Sequence, residues 1–163
     1  MTRILVVDDM AICREPVAEA LRAHGHVVIC ASSGEEALAL LREDRPDAIL
    51  LDVSMPGLDG LSVLRTIRRN PNTKSIPVIL LTDKADKACI QNAAGIGVQG
   101  YLLKSKFSLT VLFGRVDSCL AAPVGAAPSP RPVADAPKPQ SAFARWREQE
   151  EKRAARSPVG LPT

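Results

Sequence analysis

Arg3-Ile4-Leu5-Val6-Val7-Asp8-Asp9 decides how the rest of the chain is read. Four consecutive apolar residues, three of them β-branched, stop abruptly at two carboxylates. A run that is continuously apolar, rather than alternating, is the pattern of a strand covered on both faces. Four more such runs follow, at 27–31, 48–51, 78–81 and 101–103. Helix-length segments with apolar stripes separate them. Ile12, Pro16/Val17 and Ala20/Leu21 form the first stripe, Ala37, Leu38 and Leu41 the second, and Leu61, Leu64 and Ile67 the third. Segment 84–96 carries Ala85, Ala88/Cys89 and Ala93. The last stripe is the cleanest, with Leu109, Leu112, Phe113, Val116, Cys119 and Leu120 at i, i+3, i+4, i+7, i+10 and i+11. Parallel strands need crossovers, and crossovers are right-handed. Five β–α units in residues 1–122 therefore predict an α/β fold with a doubly wound, five-stranded parallel sheet of order 2-1-3-4-5. Its crevice belongs at the C-terminal strand ends, near the switch between strands 1 and 3.

Composition narrows the class. The chain has 163 residues, 46% apolar and 24% charged, which suits one domain with length to spare. No apolar run reaches the roughly 18 residues of a membrane helix. The short apolar stretch before Asp8 does not read as a signal peptide, so the sequence reads as cytoplasmic, without membrane association. Cys13, Cys30, Cys89 and Cys119 are scattered with no C-x-x-C pair, the usage of small packed hydrophobes. His24 and His26 are the only histidines and have no nearby Cys, which makes a poor metal site on ligand count. Residues 1–122 carry 14 basic and 14 acidic side chains, a neutral balance that argues against nucleic acid as the main partner.

The strand ends hold the chemistry. Strand 1 ends in Asp8-Asp9, strand 3 in Asp52, strand 4 in Thr82 and strand 5 in Lys104. Neighbouring strands 1 and 3 bring three carboxylates to one rim, where they raise one another's pKa unless protonated or bridged by a hard cation. Mg²⁺ with retained waters fits that donor set best. Lys104 adds a cation and Thr82 a hydroxyl. Such a rim suits a phosphoryl group, whose oxygens need charge neutralisation on several sides. After Asp52, the Pro56-Gly57 turn and Asp59-Gly60 open the next helix. That loop is expected to hold the Asp52 carboxylate at the mouth rather than bury it.

These residues resemble the receiver domain of bacterial two-component response regulators, of the stand-alone chemotaxis type. The matching stretches are Val6-Val7-Asp8-Asp9, Asp52-Val53-Ser54-Met55-Pro56-Gly57-Leu58-Asp59-Gly60, Leu80-Leu81-Thr82 and Tyr101-Leu102-Leu103-Lys104. They stand in order and at receiver spacing over about residues 2–120. The resemblance implies a flavodoxin-like fold with Asp52 as phospho-acceptor, taking a phosphoryl group from the phosphohistidine of a sensor histidine kinase or phosphotransfer protein. It implies Mg²⁺ held by Asp9, Asp52 and the Ser54 carbonyl, with Asp8 acting through water. Lys104 would pair with a phosphoryl oxygen. Thr82 and Tyr101 would be the switch pair that reshapes the face of the fourth helix, fifth strand and fifth helix. Ser54 and Lys84 would tune phosphate lifetime. The domain would catalyse its own phosphorylation and dephosphorylation without being an enzyme of metabolism. The alternative is a receiver-fold interaction module that does not switch.

Three positions depart from the family pattern. Ser105 stands where a proline follows the lysine, so a trans bond and a different loop into the fifth helix are expected. Asp83 stands where a small residue follows the threonine. It is expected to face solvent and cap the fourth helix, with Thr82 as the competing cap. Pro16 removes an N–H inside the first helix and predicts a kink or a later start.

Residues 123–140 contain six prolines and read as an extended linker. Residues 141–163 read as a basic, disordered tail with room for a short helix at 142–156. There Phe143 and Trp146 share a face that stops after one turn. The tail is expected to be solvated, with a docking peptide anchored by Trp146 as the alternative. So short and Pro-rich a segment cannot hold a helix-turn-helix with its own core, so output is expected through a downstream protein target, without direct DNA binding.

Overall fold

The computed structural model describes residues 2–83, 86–105 and 108–121. Lys84 and the segments 123–140 and 141–163 lie outside them. The elements are β1 (Arg3–Val7), α1 (Ala11–Ala23), β2 (Val27–Ala31), α2 (Gly34–Glu43), β3 (Ala48–Asp52), α3 (Gly60–Arg69), β4 (Val78–Thr82), α4 (Lys87–Ile96), β5 (Gly100–Leu103) and α5 (Leu109–Ala121). The sheet is parallel throughout and ordered β2-β1-β3-β4-β5, as expected.

Strand alternation sorts the apolar residues into two cores. Ile4, Val6, Leu50, Ile79, Leu81 and Leu102 meet Val17 and Leu21 of α1 and Leu112 and Val116 of α5. Leu5, Val7, Ile49, Leu51, Val78 and Leu80 meet α2, α3 and α4 through Ala37, Val63, Leu64, Ile67 and Ala93. Both faces of β3 and β4 are therefore dry, and every residue of those strands is buried. β2 differs from the expectation of two covered faces. It pairs only with β1, and three of its five residues are only partly buried while Val27 is exposed. An edge strand has a neighbour on one side only, so the overlying helix covers it incompletely.

Local chemistry fixes the helix starts. Ser33 accepts a hydrogen bond from Glu36 N at 3.1 Å, while the Glu36 carboxylate accepts from Ser32 N and Oγ at 2.7 Å. Asp59 caps α3 by accepting from Ser62 N at 2.7 Å. α4 is capped by Asp86, which accepts from Ala88 N at 2.9 Å. The expectation that Asp83 or Thr82 caps this helix is therefore wrong. Asp83 does face solvent, but the helix begins at Lys87, too far along the chain for either side chain to serve. α1 starts at Ala11 and runs through Pro16 to Ala23, so the later start does not occur. Pro16 is buried inside the helix.

Arg68 ties α3 to the segments that lead into β4 and β5. Its guanidinium donates to the carbonyls of Gly97, Lys74 and Ile76 and to Gln99 Oε1, which also accepts from Val78 N. Burial lowers its pKa. Among the described residues, no helix is long and apolar enough to cross a membrane. No disulfide joins the four cysteines.

Candidate functional site

The notch follows from strand parity. Asp52 has the parity of Leu50, Asp8 that of Ile4 and Val6, and Lys104 that of Leu102. All three continue the face that packs on α1 and α5. Parallel register aligns the strand ends, with Val7 beside Leu51 and Asp52 beside Leu81. The result is one cluster. Lys104 Nζ donates to Asp8 Oδ2 at 2.7 Å and lies 3.1 Å from Asp52 Oδ2. Carboxylate oxygens of Asp8, Asp9 and Asp52 lie within 4.8 Å of one another. The sequence separation of Asp8 and Lys104 is 96 residues, so only the closed sheet makes this contact.

Backbone donors hold the acids in place. Asp8 Oδ1 accepts from Met10 N at 2.9 Å, and Asp52 Oδ1 accepts from Ser54 N at 3.2 Å. Lys104 N donates to the Thr82 carbonyl at 2.8 Å, which anchors the lysine where β5 ends despite Ser105. No cis peptide bond occurs among the described residues, in line with the expected trans bond. Thr82 is buried at the end of β4. Its parity, like that of Tyr101, is that of the other core, against which half-buried Tyr101 packs.

Two features were not anticipated. Asp52 is only 1% exposed, so the loop after β3 buries the carboxylate instead of holding it at the mouth. The cause is Gly60. A Cβ there would land on the Asp52 carbonyl oxygen and within 2.7 Å of Val53 Cα, so α3 starts pressed against the strand end. Gly57 supplies the turn before it, with φ of 77°. The second feature is Arg14, whose guanidinium donates to the Asp8 carbonyl at 2.6 Å. Arg14 is the first basic residue of α1, one helical turn beyond Met10. That position was the available signal.

Burial is felt electrically. It pushes Asp52 up from 3.8 to about 6, with the Asp8 charge adding to the rise and Lys104 opposing it. For Lys104, desolvation is the largest influence and lowers its pKa, but its bonds to Asp8 and Asp52 more than offset it, and the net shift is upward. One ammonium thus leaves negative charge uncompensated. The donors are all oxygens, as a small hard dication prefers, and a divalent ion fits this cluster.

A pH dependence follows. Because the folded pKa of Asp52 lies above its ordinary value, the native state keeps a proton that the unfolded chain releases. Without divalent metal, its contribution makes stability fall as pH rises from about 4 to about 6. Asp52→Asn should remove that part of the slope. Urea midpoints across this pH range check it, and parallel curves for the two proteins would refute it.

The comparisons agree with this geometry. The response regulator receiver domain family model matches residues 4–117. The protein PilH of Pseudomonas aeruginosa is 36% identical over 112 residues, covering 69% of this chain and 93% of PilH. The transcriptional regulatory protein AfsQ1 of Streptomyces coelicolor is 41% identical over 104 residues, 64% of this chain but 45% of AfsQ1. The chain therefore spans about half the length of AfsQ1 and of the MprA response regulators, which it matches over 50% of their length. Among solved structures, the chemotaxis protein CheY4 of Vibrio cholerae superposes with a TM-score of 0.70 at 31% identity, covering 74% of this chain and 99% of that one. With the sheet order, the acidic notch and the lysine in place, the chain belongs to the response regulator receiver family of two-component signalling proteins.

Proposed function

We propose that the chain is a phosphorylation-controlled receiver in which Asp52 accepts a phosphoryl group from the phosphohistidine of a histidine kinase or phosphotransfer protein. The observation that carries this reading is the shared lysine, with Nζ at 2.7 Å from Asp8 and 3.1 Å from Asp52. A carboxylate oxygen of Asp52 attacks phosphorus, the P–N bond breaks, and the departing imidazole takes up a proton. The rising charge on the equatorial oxygens needs cations on more than one side. Lys104 supplies one. Asp9, Asp52 and the Ser54 carbonyl would hold Mg²⁺, with Asp8 reaching it through water. The ion supplies charge neutralisation for the incoming group. Asp8 has a further task, because its bond holds the Lys104 ammonium beside Asp52.

The burial of Asp52 supports the same reading. A carboxylate with a pKa near 6 is ionised at neutral pH yet poorly solvated, so it has less hydration to shed before it attacks. Thr82 and Tyr101 are proposed to couple the phosphoryl group to the face of α4, β5 and α5. Support comes from α4, in which only Ala93 is buried, so the helix can shift at small packing cost. Ser54 and Lys84 are proposed to tune the phosphate lifetime. The output is proposed to be contact of this face with a protein target, in the cytoplasm and without direct DNA binding. Residues 123–140 are proposed as a linker and 141–163 as a basic tail.

The test is a mass measurement on the full chain incubated with Mg²⁺ and a small phosphodonor. The wild type is expected to gain one phosphoryl group and Asp52→Asn none. An unmodified wild type would favour the static interaction module instead.

A further inference from the structure

The two histidines, set aside on ligand count, acquire a third partner from the fold. His24 caps the C-terminus of α1, with its N–H bonded to the Ala20 carbonyl. Gly25 follows with φ of 97°, a left-handed turn that open space would not forbid to a side chain but the backbone angle does. The chain reverses there, and His26 N bonds back to the Leu21 carbonyl at 3.0 Å. This His-Gly-His turn sets the two imidazoles side by side, with centroids 5.5 Å apart. α5 then passes beneath them. Phe113 stacks flat on His24, centroids 4.0 Å apart and planes within 3°. One turn later, Asp117 Oδ2 lies 3.7 Å from His24 Nε2.

We propose that His24, His26 and Asp117 form a binding site for a borderline transition-metal dication of the zinc class, separate from the acidic notch. One potential ligand atom from each residue lies within 4.8 Å of the other two. Tetrahedral zinc with bonds near 2.0–2.1 Å wants its ligand atoms roughly 3.4 Å apart. The His24–Asp117 pair already approaches that spacing, and the Asp117 side chain is exposed enough to rotate the remainder. His26 Nε2 is buried with no hydrogen-bond partner, so the ring is not committed through that nitrogen to any protein group. Phe113 fixes the His24 ring plane, which lowers the entropy lost on ligation. Two imidazoles and one carboxylate leave a fourth position for water, a donor set that selects zinc, cobalt or nickel over Mg²⁺. The cluster lies where β2 begins, so it occupies the opposite rim of the sheet from Asp52. A bound ion would clasp the end of α1 to the last turns of α5.

The test uses full-length, tag-free protein stripped with chelator and kept in excess Mg²⁺ to fill the notch. Calorimetric titration with Zn²⁺ is expected to show about one equivalent bound. NMR shifts of the imidazole nitrogens should move for both histidines, the only two in the chain. His24→Gln and Asp117→Asn, both at exposed positions, should weaken binding by about tenfold or more while leaving phosphoryl uptake unchanged. Asp9→Asn should leave the Zn²⁺ affinity intact. The proposal is overturned if no Zn²⁺ binds, if His24→Gln and Asp117→Asn bind as the wild type does, if Asp9→Asn abolishes binding, or if Co²⁺ substitution gives thiolate charge-transfer bands.

Discussion

Lys104→Met is expected to slow phosphoryl uptake by Asp52 about 100- to 1,000-fold, the usual effect of removing one preorganised charge from a developing oxyanion. Methionine keeps the length and apolar stem of lysine and removes only the ammonium, so the loop after β5 should keep its course. The loss has a second signature. Lys104 is the one cation within 3.1 Å of Asp52 in the described structure, and its removal pushes the Asp52 pKa further above 6. The variant's native state then holds its proton to higher pH than the wild type does. Its stability deficit should therefore grow from pH 5 toward pH 8, on top of the part that comes from the lost bond to Asp8, reaching about 1–3 kcal/mol. Excess Mg²⁺ should recover part of it by mass action. Phosphorylation rates by mass spectrometry, with urea titrations at several pH values, check both parts. A deficit independent of pH would mean that the lysine does not act through the charge of Asp52.

The second large effect is expected at Gly60. A methyl group there would meet the Asp52 carbonyl oxygen, Val53 Cα at 2.7 Å and the Asp52 carbonyl carbon at 3.0 Å. These are backbone atoms, so no rotamer change relieves the clash. Either α3 retreats or the end of β3 moves, and Gly60→Ala should cost about 2–3 kcal/mol, near the upper end for overpacking. Moving the strand end displaces the Asp52 carboxylate and its bond from Ser54 N. A misplacement of about 1 Å should lower the phosphorylation rate roughly 100-fold. Gly95→Ala is the control, since a Cβ there meets nothing within 4 Å in the same kind of helical backbone. If Gly60→Ala behaved like Gly95→Ala, the close approach of α3 to β3 would not be what buries Asp52.

Much of this architecture was legible because it is local. Continuous apolar runs mark β3 and β4, and the i, i+3, i+4 stripe marks α5. The same rules locate Asp8, Asp9, Asp52, Thr82 and Lys104, since each stands at or next to a strand end. The cap of α4 was misread because Thr82 and Asp83 offered capping side chains before the true one at Asp86. Which of several eligible acids caps a helix depends on where the preceding loop delivers the chain, and composition does not encode that. The incomplete burial of β2 was missed for a similar reason, because an apolar run alone does not reveal that its strand lies at an edge.

The sequence alone thus determined the parallel α/β sheet and the acidic rim, because periodicity and right-handed crossovers leave few other solutions, and the observed strand order is the most economical of these. Tertiary structure alone decided that Asp52 is buried, that Lys104 bridges it to Asp8, that Arg14 reaches the Asp8 carbonyl and that Asp117 joins two histidines across the opposite rim. Each of these depends on distances between segments far apart in the chain. Such distances are set by how helices seat on the sheet, a packing property that no single stretch of residues carries.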